Sequence, residues 1–145
     1  MKVDEKTKKE LLERARETKE MAYVPYSKFS VGAALLTKQG KIYTGCNIEN
    51  ASYGATVCAE RIAIFKAISE GERSFIALAV VSDHTDFTFP CGICRQVIQE
   101  FAQNIEIIFQ NKEGHILTLT IKDLLPYPFG EDYLEKVKET TKNED

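Results

Sequence analysis

Two short cysteine motifs, far apart in the chain, dictate which parts of it must meet. Cys58-Ala59-Glu60 is followed well downstream by Pro90-Cys91-Gly92-Ile93-Cys94. Three thiolates at C-x-E … P-C-x-x-C spacing can fill three tetrahedral positions on one zinc ion and leave the fourth for water. A carboxylate then stands two residues from the first ligand. Structural zinc normally has all four positions closed by protein groups, whereas catalytic zinc keeps one open. The fold must therefore bring Cys58 and the Cys91/Cys94 pair to one point.

The hydropathy pattern shows how. From about Glu5 to Ala22, Leu11, Leu12, Ala15, Arg16/Lys19 and Ala22 recur at helical spacing, which predicts an amphipathic helix ended by Pro25. Phe29 to Thr37 and Lys41 to Ile48 read as strands joined by a hairpin at Lys38-Gln39-Gly40. A helix is expected from near Val57, with Ile62, Phe65 and Ile68 facing inward and Gly71 closing it. Ile76 to Ser82 is a continuous apolar run, as in a strand covered on both faces. Pro90 suits the start of a helix over Cys91 to Gln103. Ile105 to Gln110 and His115 to Ile121 form a second hairpin. A short helix at Lys122 to Leu125 and a C-terminal helix from about Glu131 follow, with a frayed tail at 140–145. The order is α-β-β-α-β-α-β-β-α. Strand–helix–strand crossovers make the central strands parallel and the hairpins add antiparallel edges. The expected fold is α/β, a mixed five-stranded sheet between helical layers, in one domain over 1–145.

In such a fold both crossover helices start at the carboxyl edge of the sheet, where open α/β sheets bind ligands. Cys58 and Glu60 fall in the first turn of one helix, Cys91 and Cys94 in that of the other. Positions i and i+3 share a helix face, so Cys91 and Cys94 can chelate one ion. Helix N-termini also favour the thiolate form. Three thiolates leave the centre negative. Arg61, three positions after Cys58, is assigned as the cation that withdraws charge from the sulfurs, with Arg95 as its rival. A C-x-x-C pair alone also suits structural zinc or a redox site, and Glu60 alone suits a helix's first turn. Only the catalytic reading uses all four residues together. Cys46 reads as a small core residue. His84 and His115 fall in loop and hairpin positions.

With 145 residues, 43% hydrophobic content, a net charge of −3 and a pI near 5.5, nothing points to nucleic acid or anionic lipid as a partner. The charged N-terminus lacks a signal peptide's apolar core. The longest apolar run, Ile76 to Val81, is far short of a membrane span. A cytoplasmic protein is expected, with reduced cysteines.

The residues then resemble the small, homotetrameric cytidine deaminases. The likeness runs from Ala22-Tyr-Val-Pro-Tyr-Ser-Lys-Phe-Ser-Val-Gly-Ala-Ala34 through Gly45-Cys-Asn-Ile-Glu-Asn50, Val57-Cys-Ala-Glu-Arg61 and Pro90-Cys-Gly-Ile-Cys-Arg-Gln96 to Leu124-Leu-Pro-Tyr-Pro-Phe129. It implies one zinc per subunit on Cys58, Cys91 and Cys94, and the three-layer α-β-α fold of that family. It implies that Asn47 and Glu49 bind ribose and that Phe29 packs beside sugar and base; backbone groups near Ala59, Phe89 and Cys91 are the candidates for positioning the amino group and O2 of the base, and the sequence does not choose among them. It further implies that Phe129 reaches into a neighbouring subunit's site, with Tyr53 near the same junction, in a homotetramer with shared sites. Cysteine rather than histidine as the first ligand separates the chain from the RNA- and DNA-acting branches.

The implied reaction is hydrolytic deamination of cytidine and 2′-deoxycytidine in pyrimidine salvage, with zinc acidifying water and Glu60 shuttling protons to ring N3 and then to the departing amine. Two alternatives are kept: a deaminase of a cytosine-containing antibiotic, and a non-catalytic zinc-stabilised binding module.

Overall fold

The computed structural model describes residues 2–134. Helix α1 (Glu5–Lys19) starts where the Asp4 side chain accepts the Thr7 N–H at 2.8 Å, and it buries Leu11, Leu12 and Ala15. It stops at Lys19, short of the expected Ala22. The residues beyond it are drawn into a bridge between Tyr23 and Ile48, with Tyr23 N–H donating to the Asn47 carbonyl.

Strands β1 (Val31–Thr37), β2 (Ile42–Cys46), β3 (Phe75–Ser82), β4 (Glu106–Gln110) and β5 (Ile116–Leu119) form one sheet in the order β2-β1-β3-β4-β5. β1 is antiparallel to both neighbours, β3 and β4 are parallel, and β5 is antiparallel to β4. The sheet is mixed and five-stranded, as expected, but β3–β4 is its one parallel pair. β2, β3 and β4 do run the same way; β1, held to β2 by the Gly40 turn, lies between β2 and β3. The reason is one of widths. A helix about 10 Å across covers roughly two strand spacings of about 4.8 Å, so the crossover from β2 lands beyond β1.

Alternation along β1 and β3 divides the core. Ala34, Leu36, Ala77, Ala79 and Val81 meet α1 on one face. Ala33, Leu35, Leu78 and Val80 meet the other layer. That layer holds α2 (Ala59–Ser69), α3 (Gly92–Phe101) and α4 (Ile121–Leu124). Contrary to expectation, α2 does not turn Ile62, Phe65 and Ile68 to the core. It buries Ala59, Glu60, Ala63, Ile64 and Ala67, while Phe65 is exposed and Ile62 and Ile68 are half-buried. The helix lies close to β2, and alanines at 59, 63 and 67 make up much of its buried face. A Cβ on Gly45 would come within 2.5 Å of the Ala59 carbonyl and the Ala63 nitrogen.

Gly71, at φ +96°, closes α2 in a Schellman arrangement, with Glu72 N–H on the Ala67 carbonyl and Gly71 N–H on that of Ile68. A reciprocal Thr120–Asp123 capping box starts α4. Residues 131–134 are helical; the rest of the expected C-terminal helix and the 140–145 tail lie outside the described residues. Among the described residues no helix is long and apolar enough to cross a membrane.

Candidate metal centre

β2 and β3 run in the same direction, so the helices that follow them begin at the same edge of the sheet. Cys58 is the N-cap of α2 and Cys91 the N-cap of α3, with Cys94 in the first turn of α3. Neither N-cap cysteine uses its side chain to cap its helix, which leaves both sulfurs available. All three Sγ atoms lie within 4.8 Å of one another, and Cys58 Sγ is 3.7 Å from Cys91 Sγ. Two thiolates about 2.3 Å from a tetrahedral zinc stand about 3.8 Å apart, so the donor set and spacing fit zinc. Among the described residues this is the one such cluster of metal-ligating groups. Cys94 is buried, Cys58 half-buried and Cys91 exposed, so the centre opens to the surface on one side. Cys46, half-buried at the end of β2, is outside the cluster.

Charge is distributed unevenly over the cysteines. The Cys58 thiol is pushed down to about 5, first by hydrogen bonding from Cys94 and then by Arg61. The same hydrogen bond and burial push Cys94 upward. Arg61 Nη2 lies 3.5 Å from Cys58 Sγ and 3.4 Å from the Thr56 carbonyl, and its buried Nε has no partner. Arg95 is occupied elsewhere: Nε donates to the Pro90 carbonyl and Nη1 to that of Leu124, each at 2.7 Å. Of the two arginines, Arg61 is the one with a contact to a cluster sulfur.

Thr37 and Glu60 are the buried polar side chains among the described residues, and Glu60 is only 4% exposed. Burial pushes the Glu60 carboxyl up to about 7, and the Cys58 charge acts in the same direction. A carboxyl in that range can take up a proton and return it. Ala59, the first residue of α2, is buried beside it.

The expected sugar-binding residues are found close together, and already bonded. Asn47 Oδ1 accepts the Val31 N–H at 2.9 Å and its Nδ2 donates to the Phe29 carbonyl at 2.8 Å. Glu49 accepts the N–H groups of Tyr26 and Ser27 at 3.1 Å each, and the Ser27 hydroxyl. These bonds hold its carboxyl below the usual range, the Ser27 hydroxyl most of all. Phe29 is half-buried, edge-on to His84. Tyr53 is exposed and meets Tyr26 edge-on at 5.9 Å. Phe129 is 58% exposed, stacked on Tyr133, with its carbonyl accepting from Gln96 at 2.9 Å.

Sequence reasoning passed over Ser27 and Asp83. Asp83 accepts the Ser30 N–H at 3.0 Å and pairs with Lys19, anchoring the far end of the Phe29 segment. The available signal was position: Asp83 directly follows β3, and Ser27 stands two residues before Phe29.

Residues 5–110 match the family model described as the cytidine and deoxycytidylate deaminase zinc-binding region. A cytidine deaminase of Sporosarcina psychrophila is 51% identical over 130 residues, covering 89% of this chain and 96% of that one. A cytidine deaminase of Halalkalibacterium halodurans is also 51% identical, over 82% of this chain and 91% of its own. The crystal structure of a cytidine deaminase from Burkholderia pseudomallei superposes with a TM-score of 0.81 at 46% identity, covering 83% of this chain and 98% of that one.

Proposed function

The chain belongs to the cytidine and deoxycytidylate deaminase family, and we propose from that membership that it hydrolyses cytidine and 2′-deoxycytidine to uridine and 2′-deoxyuridine, releasing ammonia. The observation that carries this reading is a buried glutamate beside three sulfurs spaced for one zinc at an open edge of the sheet. A closed structural site would need no buried acid next to it.

Cys58, Cys91 and Cys94 would hold the zinc, which when bound would supply an acidified water and a Lewis acid. Glu60 accepts a proton from the attacking water and delivers it to ring N3 as oxygen bonds to C4. It then carries a second proton to the exocyclic nitrogen, which leaves as ammonia. One carboxyl does both because it is base and acid in turn within a cycle. Arg61 offsets the negative charge of the sulfurs. Backbone groups near Ala59, Phe89 and Cys91 are assigned to the amino group and the O2 carbonyl of the base. Asn47 and Glu49 face the sugar, and Phe29 packs beside it.

The reading includes a homotetramer in which Phe129 completes a neighbour's site, in the cytoplasm. Tyr53, Phe65, Ile93, Tyr127 and Phe129 are large apolar side chains left exposed, and Ile93 lies between two metal ligands. Exposed aromatic and aliphatic side chains of this size are what an association between subunits would cover. Loss of ultraviolet absorbance on cytidine, measured with zinc content, tests the reaction. A panel including cytosine-containing antibiotics tests the substrate class, and a zinc-loaded protein inert towards every member would overturn the reading.

A further inference from the structure

We propose that Ser27 is a positioning residue for the sugar end of the site, acting through Glu49; the inference rests on the nucleoside reading above. The Ser27 hydroxyl donates to Glu49 Oε2 and accepts the Phe29 N–H at 3.0 Å. A carboxylate has about four acceptor positions, two on each oxygen. Oε1 receives two of them from the Tyr26 and Ser27 N–H groups. Oε2 receives the Ser27 hydroxyl, so a single acceptor position remains, on that oxygen. Ser27 thereby decides where Glu49 can accept one sugar hydroxyl.

The backbone is bent to make this reach. Lys28 adopts φ +60°, the left-handed region that non-glycine residues rarely occupy, and its N–H returns to the Val24 carbonyl at 3.0 Å. That turn lets one hydroxyl bridge Glu49 and the Phe29 backbone. Phe29 does not depend on it alone, because the Asn47 amide holds its carbonyl from the other side. Removal of the hydroxyl should therefore disturb the carboxylate rather than the aromatic ring. The Ser27 bonds also favour the ionised form of Glu49, which is acceptor-only and suits a sugar O–H.

The test compares Ser27→Ala, Ser27→Thr and Glu49→Gln on cytidine and on its 2′,3′-dideoxy analogue, used as substrate or competitor, with zinc content measured in parallel. Ser27→Ala is expected to raise KM for cytidine about tenfold, the size of a hydrogen bond to a charged group, with kcat within about twofold. Zinc content is unchanged, Ser27→Thr restores KM, and the dideoxy analogue, which lacks the 2′- and 3′-hydroxyls assigned to Glu49, is indifferent to the variants. Should Ser27→Ala lower the melting temperature appreciably, Ser27→Cys, near in size but a poor donor, takes its place. An unchanged KM in Ser27→Ala beside a raised KM in Glu49→Gln overturns the role of Ser27 and leaves the sugar contact standing. Unchanged KM in both overturns the inference together with the Glu49 contact. An equal rise on both substrates, or a fall in kcat at constant KM, also overturns it.

Discussion

Two acids of this chain sit in opposite surroundings. Glu60 is buried and pushed up to about 7, while Glu49 is held by three donors and shifted down. The first is suited to moving protons, the second to remaining an acceptor. Glu60→Gln keeps the shape and removes the proton carrier, so the protein should fold and retain zinc while turnover falls at least ~10²–10⁴-fold. Metal content and cytidine turnover on one sample check this, and persistent turnover would remove Glu60 from the chemistry. The two arginines divide similarly. Arg61→Ala should weaken zinc retention about 10–100-fold in a chelator competition, because the cation near Cys58 is lost. Arg95→Ala should leave retention intact and lower thermal stability, because its guanidinium ties the Pro90 and Leu124 carbonyls. The three sulfurs that the structure brings together were legible in sequence because each motif, C-x-E and P-C-x-x-C, carries a recognisable spacing of its own, although 33 positions separate Cys58 from Cys91. Ser27 was not, because its partner Glu49 lies 22 positions away and only the folded turn joins them.

Among the elements, the starts of α2 and α3 were readable from cysteine and proline positions, but the buried face of α2 was not. Its apolar residues surround the helix, so periodicity offers no single stripe, and the choice falls to the closeness of β2 beneath it. Gly45 is what permits that closeness, and a matched pair of glycine substitutions separates its role from general packing. In Gly45→Ala the new methyl meets backbone atoms of Ala59 and Ala63 and must push back the helix that carries Cys58. In Gly32→Ala it meets the Ala15 carbonyl of α1, on the opposite face of the sheet. Both should be destabilised by at least about 1–3 kcal/mol, the ordinary cost of overpacking, with more where backbone must move. Only Gly45→Ala should also lose zinc affinity. Calorimetry and chelator titration of the two variants check this, and equal zinc affinities would show that α2 can shift without moving its cysteine.

The layered architecture of the whole molecule followed from the order of its elements, whereas the insertion of β1 between β2 and β3 depended on the width of a crossover helix, which no residue pattern records. The centre itself spans that architecture, since one ion would join the starts of two helices. Cys91→Ala or Cys94→Ala should therefore lose zinc and thermal stability together, while Cys46→Ser, outside the cluster, should keep both. Phe129 extends the argument beyond one chain. Its ring is more than half exposed and stacked on Tyr133, and its carbonyl is tied to Gln96 on the helix that carries Cys94. Phe129→Ala should weaken nucleoside binding by about 1–3 kcal/mol, the value of stacking one base on an aromatic face. If the ring serves a neighbour, Phe129→Ala and Glu60→Gln subunits complement each other. A site in a Phe129→Ala subunit keeps its own Glu60 and can borrow the ring of a Glu60→Gln partner. Hybrids formed by refolding the two variants together should then exceed the average of the parents at low cytidine concentration. Hybrids no better than that average, or a fully active monomer on gel filtration, would confine Phe129 to its own chain and leave the zinc chemistry untouched.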